Sequence, residues 1–282
     1  MSRSSRSKSI LISSLALTCA AALGLPAGAA LAGGDAAAGK AKALACQACH
    51  ISANPDSEVP RLVGQRASYL TRQLKAFKKG DRKNGLMNAI ASQLSDADVE
   101  NLAAFWIQEP AGSDAEVPAA TLPSRNTKMT FPKAFPRGFI IYHTEFSAEE
   151  GAVSRSYANA AAVAAIRAGK PLPNGSVIIV GNYAAKLDAQ KQPIREGDGY
   201  AVGEAQSFAG MEARAGWGKD IPELLRNGTW NYGLFTGEKA PRAELNQAMC
   251  LACHKPKASD SYVFSLAKLQ EKVRPATKPL RK

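Results

Sequence analysis

Histidine is scarce in this chain: three residues in 282, beside five cysteines. Beyond the N-terminal segment no apolar stretch is long enough to span a bilayer, so no internal helical anchor is expected. No Ser-His-Asp set, paired-carboxylate site or phosphate-cradling loop stands out, which leaves hydrolysis and phosphoryl transfer without residues to carry them. The carboxylates are scattered on polar stretches and read as solvated surface. Cys19 lies in an N-terminal segment that reads as removable. The other four cysteines belong to two short motifs, so none remains for a structural disulfide.

The N-terminal segment reads as a secretory signal over residues 1–32. Arg3, Arg6 and Lys8 form a basic start, residues 10–25 are apolar, and Ala30-Leu31-Ala32 is a small-x-small cleavage site. Pro26 and Gly28 interrupt the apolar run before it reaches the length of a membrane span. With no Arg-Arg pair, general secretion is expected rather than twin-arginine export. Thr18 stands where a lipoprotein signal places Gly, Ala or Ser before its cysteine. The expected location is the periplasm, with cleavage after Ala32. The formal charge is +12. Much of the excess sits in a basic tail over residues 271–282, at Lys272, Arg274, Lys278, Arg281 and Lys282. An exported protein rarely meets nucleic acid, so no nucleic-acid partner is expected. An acidic redox partner or membrane headgroups suit the charge. A solvated chain end, broken by Pro275 and Pro279, is the plainer reading.

What is present is Cys-x-x-Cys-His, twice: Cys46-Gln47-Ala48-Cys49-His50 and Cys250-Leu251-Ala252-Cys253-His254. The pattern reads as covalent c-type haem attachment. The two thiols add across the haem vinyl groups, and the adjacent His50 or His254 supplies the proximal iron ligand. A zinc site pooling both pairs or a redox disulfide is the alternative, but neither gives the terminal histidine a role. Two covalently attached haems imply electron traffic.

Residues 108–132 carry Pro110, Gly112, Pro118, Pro123 and Pro132 with little periodicity, and residues 111–130 read as a linker. The flanking parts, about 75 and about 150 residues, are ordinary domain lengths. The haem motifs fall at opposite ends of them, so two different folds with separate cores are expected. The first, residues 33–110, reads as all-α. An Ala-rich helix over 35–45 leads into the first motif. Tyr69, Leu70, Leu74 and Phe77 space an amphipathic helix over 68–79. Ser95-Asp96-Ala97-Asp98 is a capping-box-like start for a helix that Pro110 closes.

Residues 33–110 resemble a bacterial class I cytochrome c. The resemblance is carried by the first motif, Pro60-Arg61-Leu62-Val63-Gly64-Gln65, Tyr69-Leu70, Gln73-Leu74, Phe77, Arg82-Lys83-Asn84-Gly85-Leu86-Met87 and the last helix. It implies that the sixth iron ligand is a methionine in the loop before the last helix, here Met87. A soft thioether opposite histidine raises the iron potential and suits electron transfer. Met129, in the linker, is the fallback. The resemblance also implies that the Pro60 carbonyl accepts the His50 ring N–H and fixes the imidazole.

Residues 131–270 change character. Runs at 139–142, 176–180 and 230–235 are rich in β-branched and aromatic residues and bounded by Gly, Pro and Asn, so they read as strands. A helix is expected over 159–169, and another over 244–249 leading into the second motif. The reading is a mainly antiparallel β (α+β) haem domain. It resembles the cytochrome P-460 family and its relative cytochrome c′-beta. The carrying blocks are residues 173–180, Met211-Glu212-Ala213, residues 230–235, and the second motif followed by Ser259-Asp260-Ser261-Tyr262-Val263-Phe264. The resemblance implies a five-coordinate haem on a sheet, a homodimer through this domain, and a small ligand such as nitric oxide or hydroxylamine. Where P-460 members carry a lysine cross-linked to the macrocycle, the ungapped match places Val180, with Lys186 further on. At this point the non-cross-linked c′-beta type is closer. For the distal side, His143, Met211 and Met249 are the candidates, each with a plain alternative as surface or core residue.

Three functions fit. One is electron transfer through the first haem, with a second haem that binds a small ligand. Another is hydroxylamine oxidation at the second haem with the first as electron acceptor. The third is nitric oxide binding without turnover. The coordination of the His254 haem discriminates among them.

Overall fold

The structure is a computed structural model and describes residues 33–50, 59–108, 122–242 and 245–274. The expected signal segment, linker residues 111–121 and tail residues 275–282 lie outside the described residues.

Helix α1 (Ala36–His50) starts where the Asp35 carboxylate accepts the N–H groups of Ala37 at 2.8 Å and Ala38 at 3.3 Å. Helix α2 (Ala67–Lys79) buries Leu70 and Phe77 and stops at Gly80, whose φ of 79° only glycine adopts readily. Helix α3 (Gly85–Ala91) is short, and Asn84 caps it by accepting the Met87 N–H at 3.0 Å. Asn88 ties the preceding loop down, donating to the carbonyls of Phe77 at 2.6 Å and Arg82 at 2.8 Å. Helix α4 (Asp96–Gln108) opens with the expected capping box: Asp98 N–H to Ser95 Oγ is 3.0 Å, and Ser95 N–H to Asp98 Oδ2 is 2.9 Å. It packs on α1 at Gly39, where a Cβ would overlap the Asn101 carbonyl.

The second half is built on a five-stranded antiparallel sheet of order β1-β2-β3-β6-β7. In chain order the elements are β1 (Phe139–Ser147), β2 (Ala152–Asn159), α5 (Ala160–Arg167) and β3 (Val177–Ala185). A small hairpin, β4 (Arg195–Glu196) and β5 (Gly199–Tyr200), precedes β6 (Val202–Ala213) and β7 (Trp230–Thr236). Helix α6 (Gln247–His254), a 3₁₀ turn (Lys255–Asp260) and α7 (Leu266–Val273) close the chain. The three strands read from the sequence lie in β1, β3 and β7, and the 159–169 helix is α5 with Asn159 as its cap. The helix expected from 244 starts instead at Gln247, because the Asn246 side chain caps it. Strands β2 and β6 were not anticipated.

Side-chain alternation gives the sheet two working faces. On one, Tyr157, Val177, Ile179, Phe208 and Phe235 form a cluster with Met129 and Phe135. Phe131 meets Phe135, Phe208 and Phe235 edge-on at 5.0 to 5.2 Å. Gly210 has no side chain because Met129 and Ile179 fill that space. On the other face, Ala158, Ile178, Met211 and Tyr232 belong to a cluster that continues into the helices of the first half through Ala43, Ala48, Leu102 and Trp106. The two halves, expected to have separate cores, thus share one cluster, with the other cluster lying on the far face of the sheet. Helix α3 packs on α6, α1 reaches α6, and Gln93 Nε2 donates to the Leu224 carbonyl at 3.3 Å. Within the stretch read as linker, Leu122, Ser124 and Met129 are buried, and the Lys128 N–H donates to Asn231 Oδ1 at 3.0 Å.

Candidate haem sites

Both Cys-x-x-Cys-His motifs lie on the last turns of helices, which sets the two cysteines of each pair one turn apart on one face. None of the four cysteines forms a disulfide. Among the described residues no group of three His, Cys, Asp or Glu gathers to hold a bare metal ion, so the pairs are not pooled as a zinc site.

At the first site His50 ends α1, and its Nδ1–H donates to the Pro60 carbonyl at 2.6 Å, as the resemblance implied. Burial lowers the imidazole's proton affinity, with that hydrogen bond opposing. The neutral ring thus keeps a lone pair on Nε2, the form a metal requires. Burial pushes the Cys46 thiol up to about 12 and raises Cys49, where Arg125 and Asn246 act in the opposite sense. Met87, expected on a loop, stands half-buried in the first turn of α3 because Asn84 starts a helix there. Met129 lies elsewhere, buried in the aromatic cluster on the far face of the sheet.

The second site repeats the device with a different carbonyl. His254 Nδ1–H donates to the Tyr262 carbonyl at 2.7 Å. Ser261 and Tyr262 both hold left-handed backbone, φ 53° and 62°, a conformation costing on the order of 1–3 kcal/mol per residue. That turn aims the carbonyl at the ring. Burial lowers His254 as it does His50. Tyr232 and Phe264 flank the imidazole, with centroids at 4.7 and 4.9 Å. Beside them opens an apolar cavity of about 500 Å³, lined by Ile178, Val180, Met211, Tyr232, Leu234 and, from the first half, Leu86. A thiol pair, an oriented neutral imidazole and an apolar wall suit a covalently attached haem.

Val180, the position matched to the cross-linking lysine, faces this cavity with an aliphatic side chain. Lys186 follows β3 outside the lining. Met211 and Met249 both line the cavity. His143 does not. It lines a separate polar cleft, with Nε2 3.7 Å from Glu145 Oε2.

The two motifs are joined. Asn246 donates Nδ2 to the Ala48 carbonyl at 2.8 Å and lies 3.9 Å from Cys49 Sγ, while its Oδ1 caps α6 through the Ala248 N–H at 3.1 Å. Arg125 Nη1 also donates to the Ala48 carbonyl at 2.8 Å, and its own carbonyl accepts the Gln247 N–H at 3.0 Å. Sequence reasoning missed Asn246, Leu86 and the Tyr262 carbonyl. For the last a signal existed: it follows His254 by 8 residues, as Pro60 follows His50 by 10.

Among the described residues no helix is long and apolar enough to cross a membrane. Residues 132–265 match Cytochrome P460, and residues 33–105 match Cytochrome C oxidase, cbb3-type, subunit III. A cytochrome c4 of Pseudomonas aeruginosa is 42% identical over 101 residues, 35% of this chain and 48% of that one. Cytochrome c-554(548) of Halomonas halodenitrificans is 42% identical over 78 residues, 26% of this chain and 94% of its own length. The thiosulfate dehydrogenase electron acceptor of Thiomonas intermedia is 32% identical over 106 residues, 36% of this chain and 49% of that one. The chain thus spans about half the length of the cytochrome c4 it matches. It is a haem protein with an electron-transfer domain: through residues 33–105 it belongs to the c-type cytochromes, and its residues 132–265 are similar to cytochrome P460.

Proposed function

We propose that the protein is an exported dihaem cytochrome c. A haem held by Cys46, Cys49, His50 and Met87 exchanges electrons with a redox partner, and a haem held by Cys250, Cys253 and His254 binds a small ligand such as nitric oxide. When bound, the two haems supply reversible one-electron chemistry and an iron to which a small molecule can attach. The chain supplies the rest. The Pro60 and Tyr262 carbonyls orient the two imidazoles. The apolar lining of the second cavity excludes water and favours a small uncharged ligand.

The observation that carries this reading is the joining of the sites. One side chain, Asn246, bonds to the first motif and caps the helix of the second, while Leu86 stands in the second cavity's wall next to Met87. Electrons exchanged between them have a short path through hydrogen bonds and packed side chains. Val180 offers no nucleophile for a third covalent bond, which favours ligand binding over P-460 chemistry. Hydroxylamine oxidation, with electrons passing from second haem to first, is the second reading, and the same joining favours it.

The test is the reduced spectrum with and without carbon monoxide, together with the mass of the haem peptide spanning residues 250–254. One carbon monoxide per protein and two thioether bonds are expected. A third covalent bond, or no carbon monoxide bound, refutes the reading of the second site. Turnover of hydroxylamine would select the enzyme.

A further inference from the structure

Two cavities of the second half each have one member of a hydrogen-bonded hydroxyl pair in their lining. The apolar cavity of about 500 Å³ beside His254 has Ser265 in its lining. The polar cleft of about 660 Å³ has Tyr142 in its lining. Tyr142 Oη and Ser265 Oγ are 2.7 Å apart. Tyr142 is the residue at the β-bulge between Ile141 and His143, and that irregularity turns its side chain inward, where it is only 6% exposed. Ser156, on β2 in register with Val180, gives the phenol a second hydroxyl partner.

The cleft is open and charged. Arg155, Glu196, Asp198, Lys268, Glu271 and Lys272 line it, and the Asp198 carboxylate is 95% exposed. The His254 cavity is lined mostly by apolar side chains. Its other hydroxyl, on Tyr232, accepts from Asn227 Nδ2 at 2.9 Å, and Asn227 is itself fully buried and donates to the Leu251 carbonyl. That branch ends inside the core. The Ser265 branch leads to Tyr142, a residue of the cleft lining.

We infer that the Ser265–Tyr142 hydroxyl pair is a proton port, carrying protons between a small ligand in the His254 cavity and the solvent in the cleft. The inference rests on the proposed reading that this cavity takes a small ligand. A weak acid that binds iron as its anion must lose its proton inside an apolar cavity, where leaving charge behind is costly. With hydrogen cyanide the balance is simple. The H–C bond breaks and its electron pair stays on carbon, which would bind a haem iron held by Cys250, Cys253 and His254. The proton goes to Ser265 Oγ, whose own proton passes to Tyr142 Oη, and Tyr142 releases one to the cleft. Each hydroxyl ends as it began, and no electron is needed. Tyr142 holds its proton at neutral pH, since burial raises the phenol further, with its hydroxyl hydrogen bonds opposing.

The experiment uses the oxidised dihaem protein and two probes, hydrogen cyanide and, after reduction, carbon monoxide. Carbon monoxide carries no proton and serves as the access control. Tyr142→Phe keeps the ring and removes the hydroxyl. Ser265→Ala breaks the other half, and Ser265→Thr restores it. Cyanide binding is expected to slow at least tenfold in Tyr142→Phe and Ser265→Ala and to recover in Ser265→Thr. Carbon monoxide binding should stay within twofold of the parent throughout. Unchanged cyanide rates in both hydroxyl-free variants overturn the port, and so does an equal slowing of both probes, which marks altered access. If the parent binds neither probe at the second haem, the proposed reading itself fails, and the port with it.

Discussion

Asn246 and Ala48 stand 198 positions apart in the chain, yet one hydrogen bond of 2.8 Å joins the Asn246 amide to the Ala48 carbonyl. Ala48 lies between Cys46 and Cys49, and Asn246 is four residues before Cys250. The asparagine has two separable jobs. Its oxygen caps α6 and its nitrogen reaches across. Asn246→Ser keeps a capping oxygen but is too short to bridge, whereas Asn246→Ala loses both. Asn246→Ala should cost about 1 kcal/mol for the cap alone, and Asn246→Ser a few tenths. Both should slow electron exchange between the haems, measured by rapid reduction, with both midpoint potentials unchanged. Equal exchange rates in all three proteins would dismiss the bridge as an electron path.

The continuous core has its own consequence. Removing Cys46 and Cys49 together as alanines should halve the haem content and leave the haem at Cys250 and Cys253 attached, because His254 and Tyr262 are untouched. The parent should still unfold in a single calorimetric transition, since Ala48, Trp106, Tyr232 and Leu251 share one cluster. Two separated transitions would show that the halves fold independently. Loss of both haems from a soluble, folded variant would contradict independent attachment.

Much of this was legible in the residues. The haem motifs announce themselves by spacing, and the α2 stripe and the α4 capping box are local signals that the structure keeps to within a residue or two. Strands β1, β3 and β7 have the β-branched and aromatic residues that mark buried sheet. Strand β2 escaped because Ser154, Arg155 and Ser156 dilute its apolar pattern. Strand β6 escaped because Gly203, Ala205, Ala209 and Gly210 are poor strand formers in isolation. Gly210 is small because Met129, far away in sequence, needs its space. The shared core was illegible for the same reason: proline spacing marks a break in local structure but says nothing about which surfaces meet across it. The Tyr262 turn needs two non-glycine residues in left-handed backbone, which no propensity would choose.

Acid should weaken the fold through its histidines. His50 and His254 are half-buried, and desolvation makes them hold their protons less well than the ordinary value of 6.5. In the unfolded chain both titrate at that ordinary value, so below it the unfolded state binds more protons than the folded state. Their contribution is therefore complete above pH 6.5 and is lost progressively as the pH falls toward the lowered folded values. Iron on Nε2 acts in the same direction. The urea midpoint should drop between pH 7.5 and pH 5. A flat midpoint across that window would mean that neither imidazole is held neutral.

Met87 carries the sharpest test of the first site. It sits in the first turn of α3, held there by Asn84 and by the anchoring of Asn88 to the Phe77 and Arg82 carbonyls. Replacing a thioether with a methyl group removes a soft ligand that favours reduced iron. Met87→Ala should lower the first haem's midpoint potential and open it to exogenous ligands, so that the reduced protein binds two carbon monoxide molecules instead of one. The second haem's potential and binding rate should hold, because the opposite face of its cavity is built from β3, β6 and β7. Leu86, in that cavity's wall, is the internal control: Leu86→Ala should change ligand binding at the second haem while leaving the first potential in place. A Met87→Ala protein with unchanged potential and a single carbon monoxide bound would exclude Met87 as the ligand.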